Sequence, residues 1–279
     1  MRTLLISLVL SGAALAQAPI TVAVVKGDVS APDPSSAVWT GVAPSTISLM
    51  GQPMITPRPE KTITAELKVQ AVHDGKNLAF RLSWKDDGVN EAGPLGTYSD
   101  AAAIQFPVKV SEFPPPVMMG AKDTPVHIFH WRAQYQRDAE RGKPTMKDLY
   151  PNLNVDMYPL EFADMGTLSK KSDAEREQYS PGRVSGNPQA YAKSGVDEII
   201  AEGFSTSSVQ AGHGGRGKAS WKDGEWTLVI TRPLVSEGGS VLTPGGNGFV
   251  AFAVWQGGAG EVGSRKCVTM MWTPLALGK

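Results

Sequence analysis

In this chain of 279 residues, 27 Lys and Arg balance 27 Asp and Glu, so no basic excess exists to hold a phosphate backbone and nucleic-acid binding finds no support. A single cysteine, Cys267, rules out an internal disulfide, a CxxC redox pair, a covalently attached c-type haem and a cysteine-ligated iron–sulfur cluster. The 30 glycines and 21 prolines point to many turns rather than long helices.

Arg2, the apolar run Leu4–Leu10 and the small-x-small pattern Ala14-Leu15-Ala16 predict a signal peptide over residues 1–16, cut after Ala16. The export that this implies places the mature chain, residues 17–279, outside the cytoplasm. The run is too short for a membrane span, and no later stretch approaches the ~20 apolar residues that one needs.

Beyond the leader the apolar period is two. Ile63, Ala65, Leu67, Val69 and Ala71 alternate with polar neighbours, and Asp74-Gly75-Lys76-Asn77 turns the chain into Leu78, Phe80, Leu82 and Trp84. Ala101–Val108 and Val126–Trp131 read as further strands, as does Trp226–Ile230 after the turn at Lys222–Glu225. Phe249–Trp255 is apolar on both faces, which predicts a central, covered strand. Short strands between turn signals predict an all-β fold, an antiparallel β-sandwich with long loops and a minor helix. Residues 138–200 are polar and punctuated by Pro and Gly, with one short helix expected at Lys170–Gln178. They read as a long excursion from a single domain. The glycine loop Gly212–Gly217 lacks the strand and helix of a nucleotide-binding motif.

Two features carry chemistry. If Ser264–Trp272 is a strand, the face of Lys266 also bears Val268, Met270 and Trp272, which points an ammonium into apolar surroundings. Either the side chain snorkels out at a strand end, or its neutral amine donates a lone pair to a metal. The second feature is Phe113-Pro114-Pro115-Pro116-Val117-Met118-Met119-Gly120, where prolines stiffen the chain and the glycine permits close approach to a planar object. Paired methionines there are either ordinary apolar packing or soft ligands for iron. On an extended segment His127 and His130 face opposite ways, against a His-x-x-His metal site, and His130 alone remains an alternative iron ligand. His73 and His213, at a turn and in the glycine loop, are expected to face solvent. The pairs Asp86/Asp87 and Asp138/Glu140 read as solvated loop surface, with no spacing that fixes a hydrolytic carboxylate pair. Cys267 is expected to face away from Lys266 as a buried small hydrophobe.

Several stretches, in order, resemble the haem-b-binding gamma subunits of ethylbenzene dehydrogenase and its relatives among periplasmic molybdenum enzymes, such as the chlorate, selenate and dimethylsulfide types. They are Leu78–Trp84, Asp100–Pro107, Pro115–Gly120, His130–Ala133, Gly224–Thr227, Thr231–Leu234, Ala253–Trp255 and Arg265-Lys266. The resemblance implies a β-sandwich related to a sugar-binding module. It also implies haem b held by one methionine and one lysine, which correspond here to Met119, with Met118 as the alternative, and to Lys266 in the last strand. Trp131 and Trp255 are the candidates to pack near the ring. The function so implied is outer-sphere electron transfer between an iron–sulfur beta subunit, itself joined to a molybdenum catalytic subunit, and a soluble carrier such as cytochrome c. A stand-alone haem b carrier, and a carbohydrate-binding sandwich without haem, are the alternatives.

Overall fold

A computed structural model describes residues 18–91, 93–144, 146–152, 181–185, 195–210 and 214–279. The leader, the expected helix at Lys170–Gln178 and His213 lie outside the described residues. The strands are β1 (Ile20–Val24), β2 (Ser45–Ser48), β3 (Met50–Gly51), β4 (Glu66–His73), β5 (Asn77–Lys85), β6 (Ala101–Pro107) and β7 (Val126–Arg132). After helix α1 (Ala133–Arg141) come β8 (Val196–Ala201), β9 (Ser208–Val209), β10 (Arg216–Lys222), β11 (Glu225–Pro233), β12 (Asn247–Trp255), β13 (Cys267–Val268) and β14 (Thr273–Leu277).

Strands β10-β11-β5-β4-β1-β14-β12-β6-β7-β8-β9 are hydrogen-bonded in that order, with β2 on β4, β13 on β12 and β3 on β13. The path folds over because two strands change partners along their length. β1 pairs with β14 through Ile20–Val22 and with β4 through Ala23 and Val24, while β12 leaves β14 after Val250 to join β6 and β13. Two layers result, and their inward side chains make the core. Phe80 of β5 meets Phe106 and Phe252 with ring centroids 5.8 and 6.2 Å apart, and Trp84 meets Trp131 at 6.4 Å. Each such ring, fully withdrawn from water, stabilises the fold by roughly 1.5–3 kcal/mol. The expected sandwich is therefore present, with β1 as its departure: both of its ladders are parallel, and every other one among the described residues is antiparallel.

The outer faces differ. Behind β4, β5 and β11, the segment carrying Val29 and Trp39 packs onto Val72, Ala79 and Val229. Behind β12, β6 and β13, the outer face carries Ala101, Ala103, Ala253, Trp255 and Val268, with Met118 and Ile128 packed against them. This explains why Phe249–Trp255 reads as apolar on both sides: one face joins the core, the other floors a cavity.

Several local expectations are corrected. Ile63 is 40% exposed and precedes the strand, which starts at Glu66. The extended segment near Lys266 is two residues long and does not reach Trp272; Met270 and Met271 are exposed, and the last strand is β14. The segment 138–200 ends in β8, which pairs along β7 and extends the layer. His73 is buried rather than solvent-facing, because Gly278, from the far end of the chain, places its carbonyl 3.1 Å from Nε2. Asp138 and Glu140 belong to α1, and Arg137 pairs with Asp138.

Asp86, expected in solvent, is 5% exposed, and its Oδ2 has no hydrogen-bond partner. Burial, then the nearby Asp100 carboxylate, pushes its pKa up from 3.8 to about 6. Because the folded value lies above the unfolded one, this group favours folding below pH ~4 and loses that contribution as pH rises to ~6. Two pKa steps correspond to about 3 kcal/mol at most. Asp86→Asn, which keeps the Oδ1 acceptor for Gly88 N–H, is expected to stabilise the protein by about 1–3 kcal/mol at pH 7.5 and hardly at pH 4. Urea unfolding at both values checks this, and an equal change at each would refute it.

Candidate cofactor site

The cavity behind β12 and β6 has a volume of about 450 Å³, within the ~300–1,000 Å³ usual for cofactor sites. Strand register lays out its floor in rungs. Val268, Ala253, Ala103 and His130 stand side by side across β13, β12, β6 and β7. One rung on come Trp255, Ala101 and Arg132, and one rung back Ala251, Gln105 and Ile128. Neighbours in a rung are ~4.8 Å apart, so four alanines in adjoining positions leave a low apolar shelf rather than a filled surface.

Lys266 enters from the β13 side, its backbone carbonyl fixed by Gln52 N–H at 2.8 Å. Its ammonium nitrogen lies 4.7 Å from the centre of the Trp255 ring, and the Trp255 N–H is tied to Gly263 O at 2.9 Å. Among the described residues it has no carboxylate partner, and burial pushes its pKa down to about 8. A neutral amine with a free lone pair is thus accessible near physiological pH. Cys267 faces the opposite way into the core, as strand alternation requires, and burial raises its thiol to about 11.

Met118 and Met119 both line the cavity, from the proline-stiffened loop. Gln105 donates to Val117 O at 2.8 Å and Trp272 to Pro115 O at 2.6 Å, so the floor and the segment after Lys266 both brace that loop. Met119 holds φ at 65°, and its carbonyl receives Gly203 N–H at 2.8 Å. For a side chain with a Cβ this is an uncommon conformation, maintained only where the surroundings over-determine it. Gly120 follows at φ 72°, and a Cβ there would stand 2.6 Å from Thr124 O. The Met118 sulfur is within 3.7 Å of the Gln52 amide nitrogen, and its side chain packs on the alanine floor.

Of the residues expected at the site, Met118, Met119, Lys266 and Trp255 converge on this cavity. Trp131 does not. It has the opposite parity on β7, is fully buried between Trp84 and Trp226, and donates to Gln136 Oε1 at 3.0 Å. His130 does face the cavity, stacked on Trp255 with centroids 4.6 Å apart, and its Nε2 has no hydrogen-bond partner. Burial, then the charges of Arg132 and Lys266, hold His130 well below the usual imidazole range, so it is neutral. Arg132, Gln52 and Gln105 also line the site without having been singled out in the sequence. Parity with His130 would have found Arg132; nothing local marks the two glutamines.

His127 belongs to a separate buried cluster, with Nε2 2.7 Å from Glu198 and Nδ1 3.1 Å from Ser240 Oγ. The order Ser, His, Glu resembles a hydrolytic triad, yet Ser240 is completely buried and no substrate reaches it.

Residues 36–267 match the family described as ethylbenzene dehydrogenase. A Haloferax mediterranei protein, provisionally named a respiratory nitrate reductase heme subunit, is 27% identical over 240 residues, which cover 85% of this chain. The chain spans 65% of that relative's length. The chlorate reductase gamma subunit of Ideonella dechloratans is 26% identical, covering 88% of this chain and 79% of the relative. The dimethylsulfide dehydrogenase gamma subunit of Rhodovulum sulfidophilum is 24% identical, covering 86% and 73%. Among solved structures, a family 9 carbohydrate binding module from Caldicellulosiruptor kristjanssonii, in complex with glucose, overlaps with a TM-score of 0.41 at 10% identity, covering 94% of this chain and 96% of that one. Its cellotriose complex gives 0.40 at 10% identity, covering 93% of each. The family match runs from Ser36 to Cys267 and takes in the floor strands, the methionine loop and Lys266: the chain belongs to the ethylbenzene dehydrogenase family.

Proposed function

We propose that this chain is a haem b electron-transfer subunit, exported to the periplasm after loss of residues 1–16. One observation carries the reading: two thioethers and one amine without a carboxylate partner line a cavity with an alanine floor and, among the described residues, no acidic side chain. Softness suits the thioether to haem iron, and the depressed pKa of Lys266 makes its nitrogen a competent donor. Met119 and Lys266 would hold the iron, Trp255 would pack beside the macrocycle, and Met118 would complete its apolar seat. When bound, haem supplies a one-electron Fe(III)/Fe(II) couple. The protein's part would be to hold the iron from Met119 and Lys266, leaving no place for a substrate on it, and to exclude water with Val268, Ile128 and the shelf. The partners that follow are an iron–sulfur subunit joined to a molybdenum catalytic subunit, and a soluble carrier such as cytochrome c. Among the described residues no helix is long and apolar enough to cross a membrane.

The purified protein is expected to show a low-spin haem spectrum, with sharp α and β bands after dithionite reduction and a b-type haem extractable into pyridine. Absence of a Soret band after expression with ample haem would overturn the reading.

A further inference from the structure

The polar groups of the cavity are unevenly committed. The Gln105 and Gln52 amides are engaged by Val117 O and the Met118 sulfur, and Thr269 Oγ1 is bonded to the Phe252 backbone. Lys266 stands at the β13 side. Besides the hydroxyls of Ser205, Ser207 and Ser264, β7 itself offers a pair two residues apart on one strand face: His130, with its bare Nε2, and Arg132. Those two lie ~7 Å apart along the strand. A buried imidazole nitrogen without a partner carries a desolvation penalty that nothing in the protein offsets. Arg132 is steered from beneath by Tyr135: its guanidinium lies 4.7 Å from the ring centre, and Nη1 donates to the phenol oxygen at 2.5 Å. Arg132 brings a positive charge and His130 a neutral imidazole, while Lys266 is reserved for the iron. Among the described residues the cavity walls carry no Asp or Glu, and Asp197, paired with His130 across β7 and β8, is bonded to Tyr135 instead. The site therefore suits a ligand that brings negative charge of its own.

We propose that Arg132 and His130 form an acid clamp that takes the carboxylate side chains of the tetrapyrrole and so fixes which edge of it faces β7. This rests on the haem reading above and adds to it the residues that recognise the periphery rather than the iron. The guanidinium supplies a charge-assisted fork, and the carboxylate selects the Nε2–H tautomer of His130. Arg132 and His130 are binding residues here and touch no reacting atom.

The test compares ferric haem with its dimethyl ester, which has the same ring and iron but no acid. Each is titrated into the full chain, prepared free of haem, and followed by Soret absorbance. The wild-type protein is expected to bind the free acid about 10–100-fold more tightly than the ester. Arg132→Gln should reduce that preference to about threefold or less, and Arg132→Lys should restore part of it. His130→Phe, which keeps a ring against Trp255, should weaken the preference by about fivefold. All variants should retain the low-spin spectrum. Equal affinity of the wild type for acid and ester overturns the clamp, and needs no variant to fold. An undiminished preference in the Arg132→Gln/His130→Phe double variant does so too. Binding of neither compound by the wild type is a different result, since it removes the haem reading itself.

Discussion

Met119→Ala will abolish the low-spin spectrum of the haem-loaded protein and weaken haem binding by tenfold or more, about 1.4 kcal/mol, whereas Met118→Ala will leave the spectrum low-spin. The two methionines are adjacent, and both reach the cavity, but they are held differently. The Met118 sulfur already faces the Gln52 amide, and its side chain packs against the cluster that holds the floor alanines, Trp255 and Val268. Met119 takes the left-handed backbone angle, and Gly203, from across the loop, grips its carbonyl. A conformation that opposes the Cβ's preference is maintained for the side chain's direction. Lys266→Ala should likewise give a high-spin spectrum, because among the described residues no second amine lines the cavity. Absorption and electron paramagnetic resonance of the ferric protein separate the outcomes. A low-spin Met119→Ala with a high-spin Met118→Ala would exchange the two roles, and low-spin spectra from both would remove methionine as a ligand.

Most of the sandwich was legible because its strands obey period two. Leu78, Phe80, Leu82 and Trp84 alternate without interruption, and β5 follows them. The oddity of Lys266 was legible too, since an ammonium beside Val268 needs a reason. The extent of its strand was not: Thr269 bonds to the Phe252 backbone, and the chain then leaves the sheet. That exit depends on a partner 17 residues away. Trp131 shows a different limit. Its parity relative to His130 was available, but an aromatic side chain reads the same whether its face joins the core, as Trp131 does, or lines the cavity, as Trp255 does. β8 was hidden because Asp197 and Glu198 interrupt its apolar pattern, and those acids are buried only through contacts distant in sequence. Burial of His73 by a carbonyl 205 residues away has no local signature at all.

Arg232→Ala is expected to destabilise the fold by about 3–5 kcal/mol while leaving the haem spectrum of the folded protein unchanged. Arg232 is 1% exposed, on β11, with its guanidinium 5.0 and 5.3 Å from the ring centres of Phe106 and Phe129. Burial pushes its pKa down to about 10, partly offset by the charge of Glu198, so it remains ionised at neutral pH. Its donors reach Pro233 O at 2.7 Å, Leu234 O at 3.1 Å, Ser240 O at 2.7 Å, and the hydroxyls of Ser236 and Ser240. One side chain thereby reaches three carbonyls at the end of β11 and in the turn that follows, and through Ser240 it joins His127 and Glu198, which tie β7 to β8. Alanine would remove a donor from Pro233 O and the Ser236 and Ser240 hydroxyls, take a nearby positive charge from Glu198 and empty the space beside Phe106 and Phe129, while Leu234 O and Ser240 O keep the N–H of Leu242 and Ser236. Each uncompensated group costs ~1–3 kcal/mol. Arg232→Lys keeps the charge but not the planar fork, and an intermediate loss of about 2 kcal/mol is expected. The cluster faces the core side of β7, while the cavity is on the other side, so fold stability and haem ligation should separate. Urea unfolding measures the first and the Soret spectrum the second. A loss below about 1 kcal/mol would show that the turn finds other donors, and a high-spin spectrum in the folded variant would show that the two faces of β7 are coupled.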